Sequence, residues 1–125
     1  MKLPKGHQAL MPYLMLTNAG HFYAFTKAVF NAQETLKKLR EDGNTIMHSE
    51  IQINGSTIMY CETNKDWKPQ TANLFVYVKD VDDTYKKAID VGAEVVMPLS
   101  NQDYGRTCGI KDPFGNTWWI TSTDV

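Results

Sequence analysis

At 125 residues, 42% hydrophobic and 22% charged with a net charge of −1, the chain has the size and balance of one globular domain that buries a core without staples. That charge leaves no electrostatic footprint for nucleic acid or an anionic membrane surface, and no apolar run approaches the roughly 20 residues of a spanning helix. The N-terminus carries basic residues but no apolar segment or small-residue cleavage site, so no secretory signal is expected. Cys61 and Cys108 lie far apart, outside any Cys-x-x-Cys spacing, and are expected as reduced thiols of a cytoplasmic protein.

In chain order, Leu10 to Leu16 reads as a short first strand, with Pro12 marking an irregular or edge start. Asn18 is placed to cap the following helix, whose apolar residues Phe22, Phe25, Val29 and Phe30 fall near helical spacing. Gln33 to Arg40 is ambiguous: Leu36 and Leu39 fit a helix, but the order of the elements argues for a strand. Asp42-Gly43-Asn44 is a turn, and Thr45 to Ile53 and Ser56 to Glu62 are strands joined by the hairpin signal Asn54-Gly55. Asn64 to Thr71 is a polar loop holding Trp67. Asn73 to Val78 is then a strand, Asp80 caps a helix that Gly92 stops, and Glu94 to Leu99 is a strand. Gly105 to Lys111 and Asn116 to Ser122 form a last hairpin around Asp112-Pro113-Phe114-Gly115, where proline presets the turn and Gly115 supplies a positive φ.

Each half thus reads strand, helix, three strands. Gly55 to Met59 aligns with Gly115 to Trp119 at an offset of 60 (115 − 55), and Tyr13 to Leu16 with Phe75 to Val78 at 62 (75 − 13), which points to an internal duplication. The same offset of 60 makes His48 the counterpart of Cys108 (108 − 48).

Strand alternation sorts the side chains. Leu14, Leu16, Leu74, Val76, Val78, Trp118 and Ile120 suit packing under the helices. The opposite faces carry Met11, Tyr13, Met15, Met59, Cys61, Asn73, Phe75, Tyr77 and Trp119, joined by Ile46, His48, Glu50 and Gln52. Such a face, rich in methionine and aromatic rings with a few polar groups, fits a small-molecule cavity; a second core or a dimer interface would use the same residues.

Assembled, these residues resemble the vicinal-oxygen-chelate superfamily of glyoxalase I, bleomycin-resistance proteins and extradiol dioxygenases, and most of all its PhnB-like branch. The resemblance runs from about Leu10 to Thr123. It rests on Met11-Pro12-Tyr13-Leu14, Phe25 to Ala32, Met47 to Gly55, and Asp103-Tyr104-Gly105-Arg106 followed by Asp112-Pro113-Phe114-Gly115 and Trp118. It implies an α+β fold in which two βαβββ modules, about 9–63 and 72–124 of a single 1–125 domain, form a cupped mixed sheet with helices on its outer face. A homodimer is usual in the family. Metal-dependent members place four ligands at positions that fall here at about Met11, Met59, Asn73 and Trp119. None of these suits the divalent ions that chemistry uses, so no metal cofactor is expected.

His48 and Glu50, two apart on one strand face, are either an acid–base pair, two ligands of a non-standard metal site, or a buried structural pair. His7 and His21 are expected on the surface. Cys61 and Cys108 read as small buried hydrophobes rather than nucleophiles. Arg106 is a candidate partner for an anionic ligand or a solvated charge, and Trp67 a lid or a contact to a partner subunit. The expected function is metal-free binding of an aromatic or amphipathic small molecule, for sequestration. Its walls would be Tyr13, Met59, Phe75, Tyr77 and Trp119, with Asn73, His48 and Glu50 as polar handles and Trp67 and Arg106 at the margins. The alternative is a lyase, isomerase or dioxygenase using one divalent ion at His48 and Glu50.

Overall fold

A computed structural model of the chain describes residues 1–123; the expected end of the second module, at 124, lies outside the described residues. Two compact units emerge, Met1–Lys27 with Asn31–Gln70, and Ala28–Phe30 with the chain from Thr71 onward. The first contains β1 (Tyr13–Leu16), a 3₁₀ turn at Ala19–His21, most of α1 (Phe22–Phe30), β2 (Gln33–Leu39), β3 (Ile46–Ile53) and β4 (Ser56–Glu62). The second contains β5 (Asn73–Tyr77), α2 (Val81–Asp90), β6 (Glu94–Gln102), β7 (Gly105–Lys111) and β8 (Thr117–Ser122). Each unit holds a four-stranded mixed sheet of the same topology, β1-β4-β3-β2 and β5-β8-β7-β6, with the first pair parallel and the rest antiparallel. This is the expected α+β, strand–helix–three-strand pattern, given twice.

Local chemistry explains the boundaries. Asn54 and Gly55 both take positive φ, 48° and 85°, the geometry that matches a two-residue turn to the twist of β3 and β4. Asp80 caps α2 by accepting from the Asp83 N–H at 3.1 Å, and Gly92 ends it at φ 101°. Asn18 does not cap as expected. It lies in the left-handed region with no side-chain cap bond, and the Glu62 carboxylate of β4 instead accepts from the backbone N–H groups of Asn18 and Ala19 at 3.2 and 3.0 Å. The ambiguous 33–40 stretch is edge strand β2, because the β3 ladder satisfies its backbone whatever its helical spacing. Pro98, inside β6, falls where the register with β7 shifts on another edge strand, a position that tolerates a missing N–H.

The alternation of the strands holds in most places. Leu14 and Leu16 in the first unit and Trp118 and Ile120 in the second are buried, whereas Tyr13, Phe75 and Tyr77 are exposed. Phe22 packs edge-on against Tyr60 at 4.9 Å between centroids, and Phe30 against Trp118 at 4.6 Å. Each such fully buried ring or aliphatic chain contributes about 1.5–3 kcal/mol through its burial.

The turn between β7 and β8 is built on Asp112, itself buried. Its carboxylate accepts from the Phe114 and Asn116 backbone N–H groups, both at 2.9 Å, from Asn116 Nδ2 at 3.0 Å and from the Trp118 indole at 2.8 Å. A charge in a dry place is tolerated because four donors surround it.

Candidate functional site

The β1/β4/β3 ladder assembles the first unit's open face. Tyr13 stands beside Met59 and Met15 beside Cys61 across the parallel pair, and Glu50 stands opposite Met59 across the antiparallel one. Side chains opposite one another in a ladder share a face, so Tyr13, Met15, Met59, Cys61, Glu50 and His48 gather there. Ile46, expected on this face, is in the core at 3% exposure. The register with β2 slips between Lys38 and Leu39, leaving Met47 without a ladder partner and turning it, instead of Ile46, to the open side.

Above this face lies a hollow of about 410 Å³, lined by Tyr13, Met15, Arg40, Met47, Cys61, Asn64 and Trp67. The loop that carries Trp67 is held at both ends. Asn64 Oδ1 accepts from the Asp66 and Trp67 N–H groups at 2.9 and 2.7 Å, and Met15 and Gln70 exchange two backbone bonds along the edge of β1. Arg40 donates from Nη2 to the Glu62 carbonyl at 2.6 Å. Neither Met47 nor Arg40 had a sequence signal of its own; one is placed by the bulge, the other by the end of β2.

A chain of hydrogen bonds leads away from Tyr13 across the sheet, through residues that do not themselves line this hollow. Glu50 holds His7 Nε2 on Oε1 and His48 Nε2 on Oε2, each at 2.7 Å, and His48 Nδ1 lies 3.0 Å from the Tyr13 hydroxyl. Burial alone would raise the Glu50 pKa, but the bonds from His48 and His7 outweigh it and hold the carboxyl below its ordinary value. An ionised carboxylate only accepts, so both imidazoles donate through Nε2–H, and Nδ1 of His48 remains to accept from Tyr13. Burial, then the neighbouring Cys61 thiol and Glu50, push the Tyr13 phenol up.

His7 is therefore misplaced by a surface assignment. The N-terminal arm crosses the sheet, with the Gly6 carbonyl accepting from Thr57 Oγ1 at 2.5 Å and from Gln52 Nε2 at 3.2 Å, while Gln8 bonds both backbone groups of Thr57. His7, Glu50, Lys5, Gln52 and Thr57 border a second hollow of about 550 Å³. Sequence distance hid this: 43 residues separate His7 from Glu50.

In the second unit, Asn73 Oδ1 accepts the Trp119 indole N–H at 3.1 Å. The Trp119 ring lies on Gly109, its cross-strand partner, so closely that a Cβ there would sit 2.5 Å from the ring. Phe75 meets Tyr77 edge-on at 5.2 Å and Tyr104 at 6.4 Å. Arg106 donates to both oxygens of Asp82, at 2.9–3.1 Å, and to Asn101 at 3.1 Å, which occupies its guanidinium within the unit. The expected equivalence of His48 and Cys108 does not hold. Ser49 pairs with Tyr60 as Cys108 pairs with Ile120, and Glu50 with Met59 as Gly109 with Trp119, because the second turn is one residue longer. Both cysteines are buried and free; burial raises Cys61 against the opposing charge of Arg40, and raises Cys108 to about 11.

The donor set does not fit a divalent ion. Met11 and Met59 offer thioethers, Asn73 is bonded to the Trp119 indole, and both imidazole Nε2 atoms beside Glu50 are spent as donors. Among the described residues, no group of three or more His, Cys, Asp or Glu side chains is arranged to hold a metal. No helix among the described residues is long and apolar enough to cross a membrane.

The sequence model of the glyoxalase/bleomycin resistance protein/dioxygenase superfamily matches residues 2–120. An uncharacterised protein of Mycobacterium bovis, Mb0911c, is 31% identical over 122 residues, covering 88% of this chain and 80% of its own. Among solved structures, TioX from Micromonospora sp. ML1 superposes with a TM-score of 0.73 at 22% identity, covering 94% of this chain and 98% of its own. A PhnB protein from Bacillus cereus, described as a putative 3-demethylubiquinone-9 3-methyltransferase, does so at 0.72 and 16% identity, covering 93% and 100%. At those identities the two structures speak for the fold, and they agree with the family match. The chain belongs to the glyoxalase/bleomycin resistance protein/dioxygenase superfamily.

Proposed function

We propose that the chain is a metal-free small-molecule-binding protein that takes an aromatic or amphipathic ligand into the hollow over its first sheet and sequesters it. The observation that carries this reading is the lining itself. Two methionines, a tyrosine, a thiol and an indole supply adaptable, polarisable walls, and Arg40 and Asn64 supply orienting polar groups around about 410 Å³. Trp67, 55% exposed and set by the Asn64 turn, is the wall that a ligand would cover. Phe75, Tyr77 and Trp119 belong to the same reading as the aromatic face of the second sheet, and the chain works as a homodimer.

The test is calorimetric titration with a panel of planar aromatic acids and their neutral analogues. Saturable binding is expected, weakened at least tenfold in Trp67→Ala or in Met47→Glu, which places a charge in the apolar wall. No saturable heat with any member of the panel, or equal affinity in both variants, would sink the reading. Elemental analysis of protein purified without chelator addresses the alternative: a stoichiometric divalent ion, lost in His48→Ala, would replace sequestration with a metal-dependent enzyme.

A further inference from the structure

We infer that Tyr13, His48, Glu50 and His7 form a proton-transfer path that ionises a weak oxygen acid, a phenol or an enol, held in the hollow of the first unit. The inference rests on the binding reading above and adds a reaction to it. Four observations carry it: the continuous chain of bonds at 3.0, 2.7 and 2.7 Å, the presence of Tyr13 in the wall of the hollow, the burial of Glu50, and Arg40 in the same wall.

The step balances without a co-reactant. The ligand O–H bond breaks and its electron pair stays on the ligand oxygen. The proton passes to the Tyr13 oxygen as Tyr13 gives its own to Nδ1 of His48, so the tyrosine ends as it began, a neutral phenol. The products are a ligand oxyanion and an imidazolium, and each charge is met. The imidazolium lies on the Glu50 carboxylate through its Nε2–H, and the oxyanion faces the Arg40 guanidinium across the hollow. Tyr13, at 45% exposure, is the group that reaches the ligand. Glu50 and His7 act through His48: Glu50 fixes which ring nitrogen carries the proton, and His7 occupies the other carboxylate oxygen so that Glu50 cannot turn away. Other titratable or charged groups near the path are Cys61, bonded to Tyr13; Lys38, which stands opposite His48 on β2 and is exposed; and Lys5, which borders the second hollow with His7 and Glu50. The arrangement gives a reason for a carboxylate and two imidazoles to be linked to a tyrosine of the hollow's wall, which binding alone does not require.

4-Nitrophenol tests this directly, since its anion absorbs where its acid does not, and 4-nitroanisole has the same ring without the proton. In buffer below the solution pKa of the phenol, wild-type protein is expected to raise the anion band saturably, with the ionisation constant of the bound probe up about tenfold or more. Calorimetry should show 4-nitroanisole binding without that band. In Tyr13→Phe and His48→Gln, checked for folding by circular dichroism, whatever 4-nitrophenol binds should stay the acid, with no anion band at saturation. Glu50→Gln should retain only part of the shift. If both probes bind and the anion band does not rise, the proton path is wrong and the binding reading stands. If the band survives Tyr13→Phe and His48→Gln but is lost in Arg40→Gln, the guanidinium alone is responsible and the path is again wrong. If neither probe binds by calorimetry, the binding reading fails for this ligand class and the inference fails with it.

Discussion

Glu50 shows how one residue ties stability to the site. Being buried, it should resist ionisation, yet two imidazole donors at 2.7 Å hold it ionised, and its folded pKa lies below the ordinary value. A depressed carboxyl contributes stability that is present above its unfolded pKa, about 4.3, and lost as pH falls through the folded value. Glu50→Gln should therefore cost on the order of 1 kcal/mol near neutrality, and the gap to wild type should close below the depressed value. Urea unfolding of both proteins at the two conditions measures it. A gap that is the same at both, or that opens on acidification, contradicts the assignment. The pairing of His48 with Glu50 was legible, because residues two apart on a strand share a face. The third member, His7, was not: periodicity says nothing about a segment with no regular structure, and only the bonds from Gln52, Thr57 and Gln8 bring it there.

At the scale of elements, the sequence was readable where local chemistry decides the backbone. Asn54-Gly55, Asp80 with Gly92, and the Asp112 to Gly115 turn all carry their instructions in residue type. It was opaque where tertiary pairing decides. Helical spacing in 33–40 lost to an edge strand, a bulge exchanged Met47 for Ile46, and an extra residue in one turn shifted the equivalence of the two hairpins. The Asp112 turn is the element most exposed to a single change. Asp112→Ala would leave two backbone N–H groups, the Asn116 amide and the Trp118 indole without their acceptor in a buried place. The expected cost is about 3 kcal/mol or more, read as a lower urea midpoint with loss of the near-ultraviolet tryptophan signal. Asp112→Asn, which keeps one acceptor oxygen, should recover part of it. An alanine variant as stable as wild type would show that the carboxylate does not organise this hairpin.

On the scale of the whole chain, two units of the same strand topology carry different faces. The first sheet carries the ionisable chain and the hollow; the second carries rings. Its strand β5 and the turn between β6 and β7 leave Phe75, Tyr77 and Tyr104 at 52, 60 and 51% exposure, within ring-contact distance of one another through Phe75. Clustered exposed rings are costly in water and are a feature of surfaces that meet a partner. A net charge of −1 gives two copies little long-range repulsion to overcome. The homodimer proposed above would use this face, and a stable pair needs about 800 Å² from each copy. Sedimentation of the wild-type chain should then show a dimer that Phe75→Lys with Tyr77→Lys converts to monomer, since like charges would face one another across the two-fold axis. The unfolding midpoint of the double variant should become independent of protein concentration, whereas that of the dimer should rise with it. A wild-type chain that sediments as a monomer throughout would remove the homodimer from the reading, and would leave the hollow of the first unit as the part that stands without it.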